Sequence, residues 1–211
     1  MQDGNIERSV EVNVSEDATH IRRITVGRLL GGTPAVFVAS AVNNSAIVTD
    51  VFAWRNDRFS NISYSRDLDT SVQTLRNYYV YAEDIDGDGV MELPSLITMK
   101  RVFPEQEGKQ KFLIRWFAMD LEGREMDKFF TFHNYLGGWY MQLASSWAPR
   151  VSVEQEGGKY TFYVWDEDYR QALDVFSIYA LTGGSREEDA TVDGRFAFYR
   201  AEGVVYAAKL E

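Results

Sequence analysis

Residues 84–92 read Asp84-Ile85-Asp86-Gly87-Asp88-Gly89-Val90-Met91-Glu92, an acidic turn punctuated by two glycines. Tyr78 to Glu83 leads into it and Glu92 to Val102 leads out. Both flanks alternate apolar with polar residues, the period of a half-buried strand, and helical spacing is scarce along the whole chain. Lys111 to Met119 and Met126 to His133 continue the series of strands. The same order stands upstream as Ile21 to Val26, Ala35 to Val42, Ala46 to Trp54 and Phe59 to Tyr64. Superposing Gly31-Gly32 on Asp88-Gly89 brings the neighbouring strands into register. Val51-Phe52-Ala53-Trp54 then matches Trp116-Phe117-Ala118-Met119. The offset is 57 residues at the turn and 65 at the third strand, and the insertion Phe103 to Gln110 accounts for the difference of eight.

The fold expected from this pattern is mainly β. Two four-stranded antiparallel, propeller-like blades occupy residues 1–136, one at about 19–65 and the other at about 78–135. A small antiparallel β-rich (α+β) domain follows over 137–211. Units of four strands at this spacing are the building blocks of β-propellers, which need about four to eight of them. Asp67 to Arg76 reads as a short helix or an irregular connector. In the C-terminal part Trp139 to Leu143, Val151 to Glu154 and Tyr160 to Trp165 read as strands, the last two joined at Gly157-Gly158. Ala172 to Leu181 is the longest strand candidate, and Arg195 to Arg200 pairs with Val204 to Lys209 across Glu202-Gly203. At most one short helix is expected there.

The acidic turn places carboxyl groups at its first, third, fifth and ninth positions. Calcium takes six to eight oxygen ligands at about 2.3–2.6 Å, among them carboxylates and backbone carbonyls. Asp84, Asp86, Asp88 and Glu92, with the carbonyl of Val90, are therefore the expected calcium ligands, and Gly87 and Gly89 supply the bend. An EF-hand is excluded, because its twelfth position falls on Ser95, where that motif needs a bidentate Glu. Two like charges about 5 Å apart repel by roughly 3 kcal/mol at an effective dielectric near 20. Lys100 and Arg101 fall at the far end of the following strand, so a bound cation is the expected neutraliser. In the upstream copy the matching positions are Gly27, Leu29, Gly31 and Ala35. That copy keeps the bend without ligands, so one metal site is expected rather than two.

The run DIDGDGVMELP, after a strand and inside a repeated four-stranded unit, resembles the FG-GAP/VCBS type of repeat of integrin-like β-propellers. The resemblance covers about residues 19–135. It implies calcium held structurally within a blade. It also implies an extracellular or cell-surface protein, often bacterial and in some cases lipid-anchored, that binds a protein or glycan ligand. The C-terminal part, with its Gly138-Trp139-Tyr140 strand and Trp147-Ala148-Pro149 turn, is faintly similar to Mog1/PsbP-like α+β domains.

Composition narrows the remaining choices. A net charge of −10 over 211 residues, with no basic cluster, argues against a nucleic-acid partner. The absence of cysteine excludes disulfides, thiolate metal sites and cysteine nucleophiles. No apolar run approaches the roughly 18 residues of a membrane span. The polar start at Met1 carries no signal segment, which is the expectation for a secreted piece lacking its leader.

Catalytic signatures are missing from the sequence: there is no P-loop, no Gly-x-Ser-x-Gly and no His-Glu-x-x-His. The only histidines, His20 and His133, read as surface or turn residues. A non-catalytic binding or surface module is the favoured expectation. The alternative is a carbohydrate-active enzyme using acids of the C-terminal part, best Asp166-Glu167-Asp168 after Trp165. Glycosidases need two carboxyl groups about 5–9.5 Å apart. Of the five tryptophans, Trp54 and Trp116 occupy repeat positions and are expected in the core, while Trp139, Trp147 and Trp165 complete the set. Asn13, Asn43 and Asn61 open Asn-x-Ser sequons, which read as chance matches.

Overall fold

The first sheet shows how this chain makes strands. Its four members are β1 (Ala18–Arg28), β2 (Pro34–Val42), β3 (Ala46–Arg55) and β4 (Arg58–Asn61), paired in that order. Tight turns join them where Asn43, Asn56 and Asp57 adopt positive φ, a conformation these short polar side chains tolerate. This computed structural model describes residues 9–43, 45–102, 110–135, 137–168 and 170–211. The second sheet is also an antiparallel series of four: β5 (Glu92–Thr98), β6 (Phe112–Met119), β7 (Glu125–Asn134) and β8 (Trp139–Leu143). A third sheet has the order β12-β13-β11-β10-β9. These are β9 (Val151–Glu156), β10 (Lys159–Asp166), β11 (Gln171–Thr182), β12 (Phe196–Ala201) and β13 (Val204–Leu210). A single turn of α-helix, α1 (Arg186–Asp189), and a 3-10 turn at Val72–Thr74 are the helical elements among the described residues. The mainly β class and its antiparallel sheets agree with the alternation in the sequence, and none of the three sheets closes on itself. No helix among the described residues is long and apolar enough to cross a membrane.

The chain divides into two compact units, Met1–Leu96 with Arg115–Phe129 and Ile97–Ile114 with Phe130–Glu211. In the first, Leu29, Ala35, Phe37, Val51, Ala53, Met91, Leu93, Phe117 and Met119 share one core. Its polar interior is organised by Asp50, only 1% exposed, whose carboxylate accepts four hydrogen bonds. The donors are Ser15 N (3.1 Å), Ser15 Oγ (2.8 Å), Asn61 Nδ2 (2.8 Å) and Ser71 Oγ (2.6 Å). Three separate chain segments are thereby fastened to the middle of β3. Asn61 is spent in this network, with its Oδ1 accepting from Ser63, which leaves its sequon no idle amide.

In the second unit Met99, Leu113, Phe130, Phe132, Val151, Val153, Phe162 and Ile178 form the core, and Phe162 stacks on Phe176 at 4.5 Å. The β9–β10 hairpin turns at Gly157-Gly158. Here glycine is required, because a Cβ on Gly158 would stand 2.6 Å from the Ala180 carbonyl oxygen.

Three sequence expectations are corrected. Tyr78 to Glu83 is not a strand: it makes one isolated bridge, Glu83 with Glu92. The Val80 carbonyl accepts from the Arg76 guanidinium instead of from a neighbouring strand. The second sheet instead gains its fourth strand at Trp139–Leu143, past the expected end of the repeat at residue 135. Trp54 is 49% exposed rather than in the core: Ala53 faces inward, and the next residue points to the other side at the sheet margin, against Phe59. Trp116 is 1% exposed, as expected. The insertion at 103–109 lies outside the described residues.

Candidate metal centre

Glu92 is the foundation of the site. Its backbone exchanges both hydrogen bonds with Glu83, at 3.1 and 2.9 Å, which fixes it at the first position of β5. Met91 and Leu93 on either side enter the apolar core. Alternation then turns the Glu92 side chain to the opposite side, where it is completely buried. Oε2 accepts from Ile85 N at 3.2 Å, while Oε1 accepts no hydrogen bond. Burial pushes this carboxyl up to about 7, with Asp86 and Asp88 adding to the rise and the Ile85 amide and Lys128 opposing it.

The loop arranges its three aspartates through its own amides. Gly89 N donates to Asp84 Oδ2 (3.0 Å), Asp88 N to Asp86 Oδ1 (3.2 Å) and Val90 N to Asp88 Oδ1 (2.8 Å). Gly87 and Gly89 hold φ of 75° and 86°, the left-handed region that a side chain resists. One carboxylate oxygen each from Asp84, Asp86 and Asp88 lies within 4.8 Å of the others. Asp84 Oδ1 is out of reach of water and accepts no hydrogen bond. Three of the four expected side chains, those of Asp84, Asp86 and Asp88, therefore come together, and two buried oxygens, Asp84 Oδ1 and Glu92 Oε1, accept no hydrogen bond. A hard divalent cation is the group that completes such oxygens, so the residues present fit calcium.

One partner was not legible in the sequence. Lys128, on β7, hydrogen-bonds Asp88 through Nζ and stands 3.5 Å from Asp86 and 3.9 Å from Glu92. Its side chain is only 16% exposed. The pair drives the Asp88 carboxyl below its usual range and the lysine above its own. The expectation of a cluster without a basic neighbour is thus corrected. Even so, one ammonium faces three carboxyl groups.

The loop is also tied to the end of β1. Met91 N donates to Arg28 O at 2.9 Å, and the Met91 side chain fills the space that a Cβ on Gly27 would need. No equivalent acid stands in the upstream turn, where Leu29 is fully buried instead.

The other candidate residues have ordinary structural partners. His20 is exposed on β1. His133 hydrogen-bonds Thr131 Oγ1 at 2.8 Å and stacks on Tyr140, and burial lowers its imidazole to about 4. Glu167 is ion-paired with Lys100, whose ammonium also lies 5.2 Å from the Trp165 ring. Asp166 Oδ1 accepts from the Asp168 amide at 2.9 Å, so this acidic cluster forms a turn at the end of β10. In the second unit a cavity of about 450 Å³ has aromatic walls that include Trp139, Tyr140, Phe198 and Tyr206, and no carboxyl group among the described residues lines it. A cavity of about 350 Å³ in the first unit is lined by Glu11 and Glu122 among others, with Arg55 and Arg66 beside them. Comparison with family models, with curated proteins and with solved structures finds no match.

Proposed function

We propose that this protein is a non-catalytic, extracytoplasmic binding or surface module stiffened by one structural calcium ion. The ligands are the side chains of Asp84, Asp86, Asp88 and Glu92 and the carbonyl of Val90. The observation that carries the reading is the Glu92 carboxyl, wholly buried, close enough to Asp86 and Asp88 to feel their charge, and with one oxygen that accepts no hydrogen bond. One backbone hydrogen bond and an ammonium 3.9 Å away offset only part of the cost of burying this charge, which is several kcal/mol in the usual case. A divalent ion removes that cost and fastens the loop to the start of β5. The ion's role is to hold this turn; no step of chemistry is routed through it.

The blade reading, and with it the FG-GAP/VCBS-like character, is supported by how the repeats share their core. Under the sequence superposition Ala35 and Phe37 match Glu92 and Pro94, and Val51 and Ala53 match Trp116 and Ala118. The residues that meet Ala35, Phe37, Val51 and Ala53 in the core are Met91, Leu93, Phe117 and Met119, one position out of phase on both strands. Because strand side chains alternate between faces, one copy presents its front and the other its back. Units stacked head to tail in an array meet in that way.

Titration of calcium chloride into chelator-treated protein, followed calorimetrically beside magnesium chloride, tests the site. One calcium per chain with weaker magnesium binding is expected, since magnesium demands a tighter octahedral shell. No heat of binding from calcium refutes the proposal.

A further inference from the structure

We infer that Lys128 is a tethered cation that holds the acidic loop when calcium is absent and is exchanged for the ion when it binds, an inference that rests on the calcium reading above. The lysine is not a surface residue leaning on an acid. Its largely buried side chain brings Nζ to Asp88, Asp86 and Glu92, three of the four acidic ligands, while rising from a different strand.

An ammonium is an incomplete substitute for the ion. It carries one charge and three donors, and Glu92 Oε1 and Asp84 Oδ1 remain without a hydrogen bond. Calcium carries two charges and takes six to eight oxygens at about 2.3–2.6 Å. An ion bound to Asp86, Asp88 and Glu92 would occupy the space that Nζ now fills. Two cations so close repel, and the flexible four-carbon stem of a lysine lets it leave.

Two consequences follow. Calcium binds more weakly than it would to the same ligands without the lysine, because each binding event breaks the lysine contacts. The loop also keeps its shape at low calcium, because the lysine neutralises part of the cluster. The module would then hold its fold across a wide range of calcium while registering the ion at Lys128.

The test compares wild type with Lys128→Met, which keeps an unbranched side chain and removes the charge. Calorimetric titration with calcium chloride should give the same one-to-one stoichiometry and at least tenfold tighter binding in the variant. In parallel, wild-type protein is pulse-acetylated with an N-hydroxysuccinimide ester and read by mass spectrometry, with Lys209 as the internal reference. Lys128 should react several-fold faster in calcium than in chelator. Equal or weaker calcium binding by Lys128→Met, or unchanged labelling of Lys128, overturns the exchange and leaves the site standing. Failure of both proteins to bind calcium overturns the site and the exchange together. Should the variant not fold, the labelling of wild type decides alone.

Discussion

Replacing Asp50 by alanine removes the acceptor on which Ser15, Asn61 and Ser71 converge in the first unit. The carboxylate is 1% exposed and takes four hydrogen bonds between 2.6 and 3.1 Å. A hydrogen bond to a charged group contributes about 1.5–3 kcal/mol, and a buried donor left unsatisfied costs about 1–3 kcal/mol. These terms are not additive. The exposed backbone at Asn13, to which Asn61 Nδ2 also donates at 3.2 Å, shows that part of the network can reach water. The expected loss for Asp50→Ala is therefore about 4 kcal/mol, near the upper end of single-site effects. Asp50→Asn is the sharper control. Its amide oxygen can serve the three donors now gathered on Oδ1, but its NH2 then faces the Ser15 amide, for a loss of about 2 kcal/mol. Urea unfolding followed by tryptophan fluorescence measures both, with the slope checked for constancy. A loss below about 1 kcal/mol for Asp50→Ala would show that the network is not what fastens these segments to β3.

Other substitutions probe separate parts of the account. A Cβ on Gly27 would stand 2.1 Å from Met91 Cγ, so Gly27→Ala should cost about 1–3 kcal/mol by overpacking a buried contact, measured by the same unfolding assay. Trp116 is 1% exposed, and Trp116→Ala should cost about 3–5 kcal/mol by leaving a large cavity, whereas the exposed Trp54→Ala should cost far less. His133 gives a pH test. Its folded value of about 4 lies below the ordinary value near 6.5, so the folded state disfavours the proton. The stabilisation is complete above about pH 6.5 and is lost as pH falls toward 4. Between pH 7 and 5, wild type should lose about 1–2 kcal/mol more than His133→Phe after allowance for the partial burial of the ring; parallel pH profiles would refute this.

The legible and illegible parts of this chain divide along a physical line. Turn chemistry and alternation are local, so β1 to β4, the hairpin at Gly157-Gly158 and the long β11 could be read within a few residues of their observed limits. The convergence of Asp84, Asp86 and Asp88 was legible for the same reason, being set by spacing within five residues. Lys128 was not, because it meets Asp88 across 40 positions, and only the pairing of strands brings them together. Tyr78 to Glu83 illustrates the limit of periodicity. Its alternation correctly buries Val80 and Ala82, yet a strand also needs a ladder, and here the Val80 carbonyl goes to Arg76 while Glu83 alone bridges across, to Glu92. Trp54 failed for a related reason: the pattern reports which side a residue faces, not where the covering layer ends.

The most direct test of the calcium claim is thermal unfolding of wild type and Asp86→Ala, each in millimolar calcium and in excess chelator. At a calcium concentration 100 times its dissociation constant, one site adds about 2.7 kcal/mol. For a chain of this size that corresponds to a rise of about 5–10 °C in the wild-type midpoint. Asp86→Ala, lacking a ligand at the third position of the loop, should melt at nearly the same temperature in both solutions. A wild-type midpoint indifferent to calcium, or a variant that responds as fully as wild type, would contradict the account.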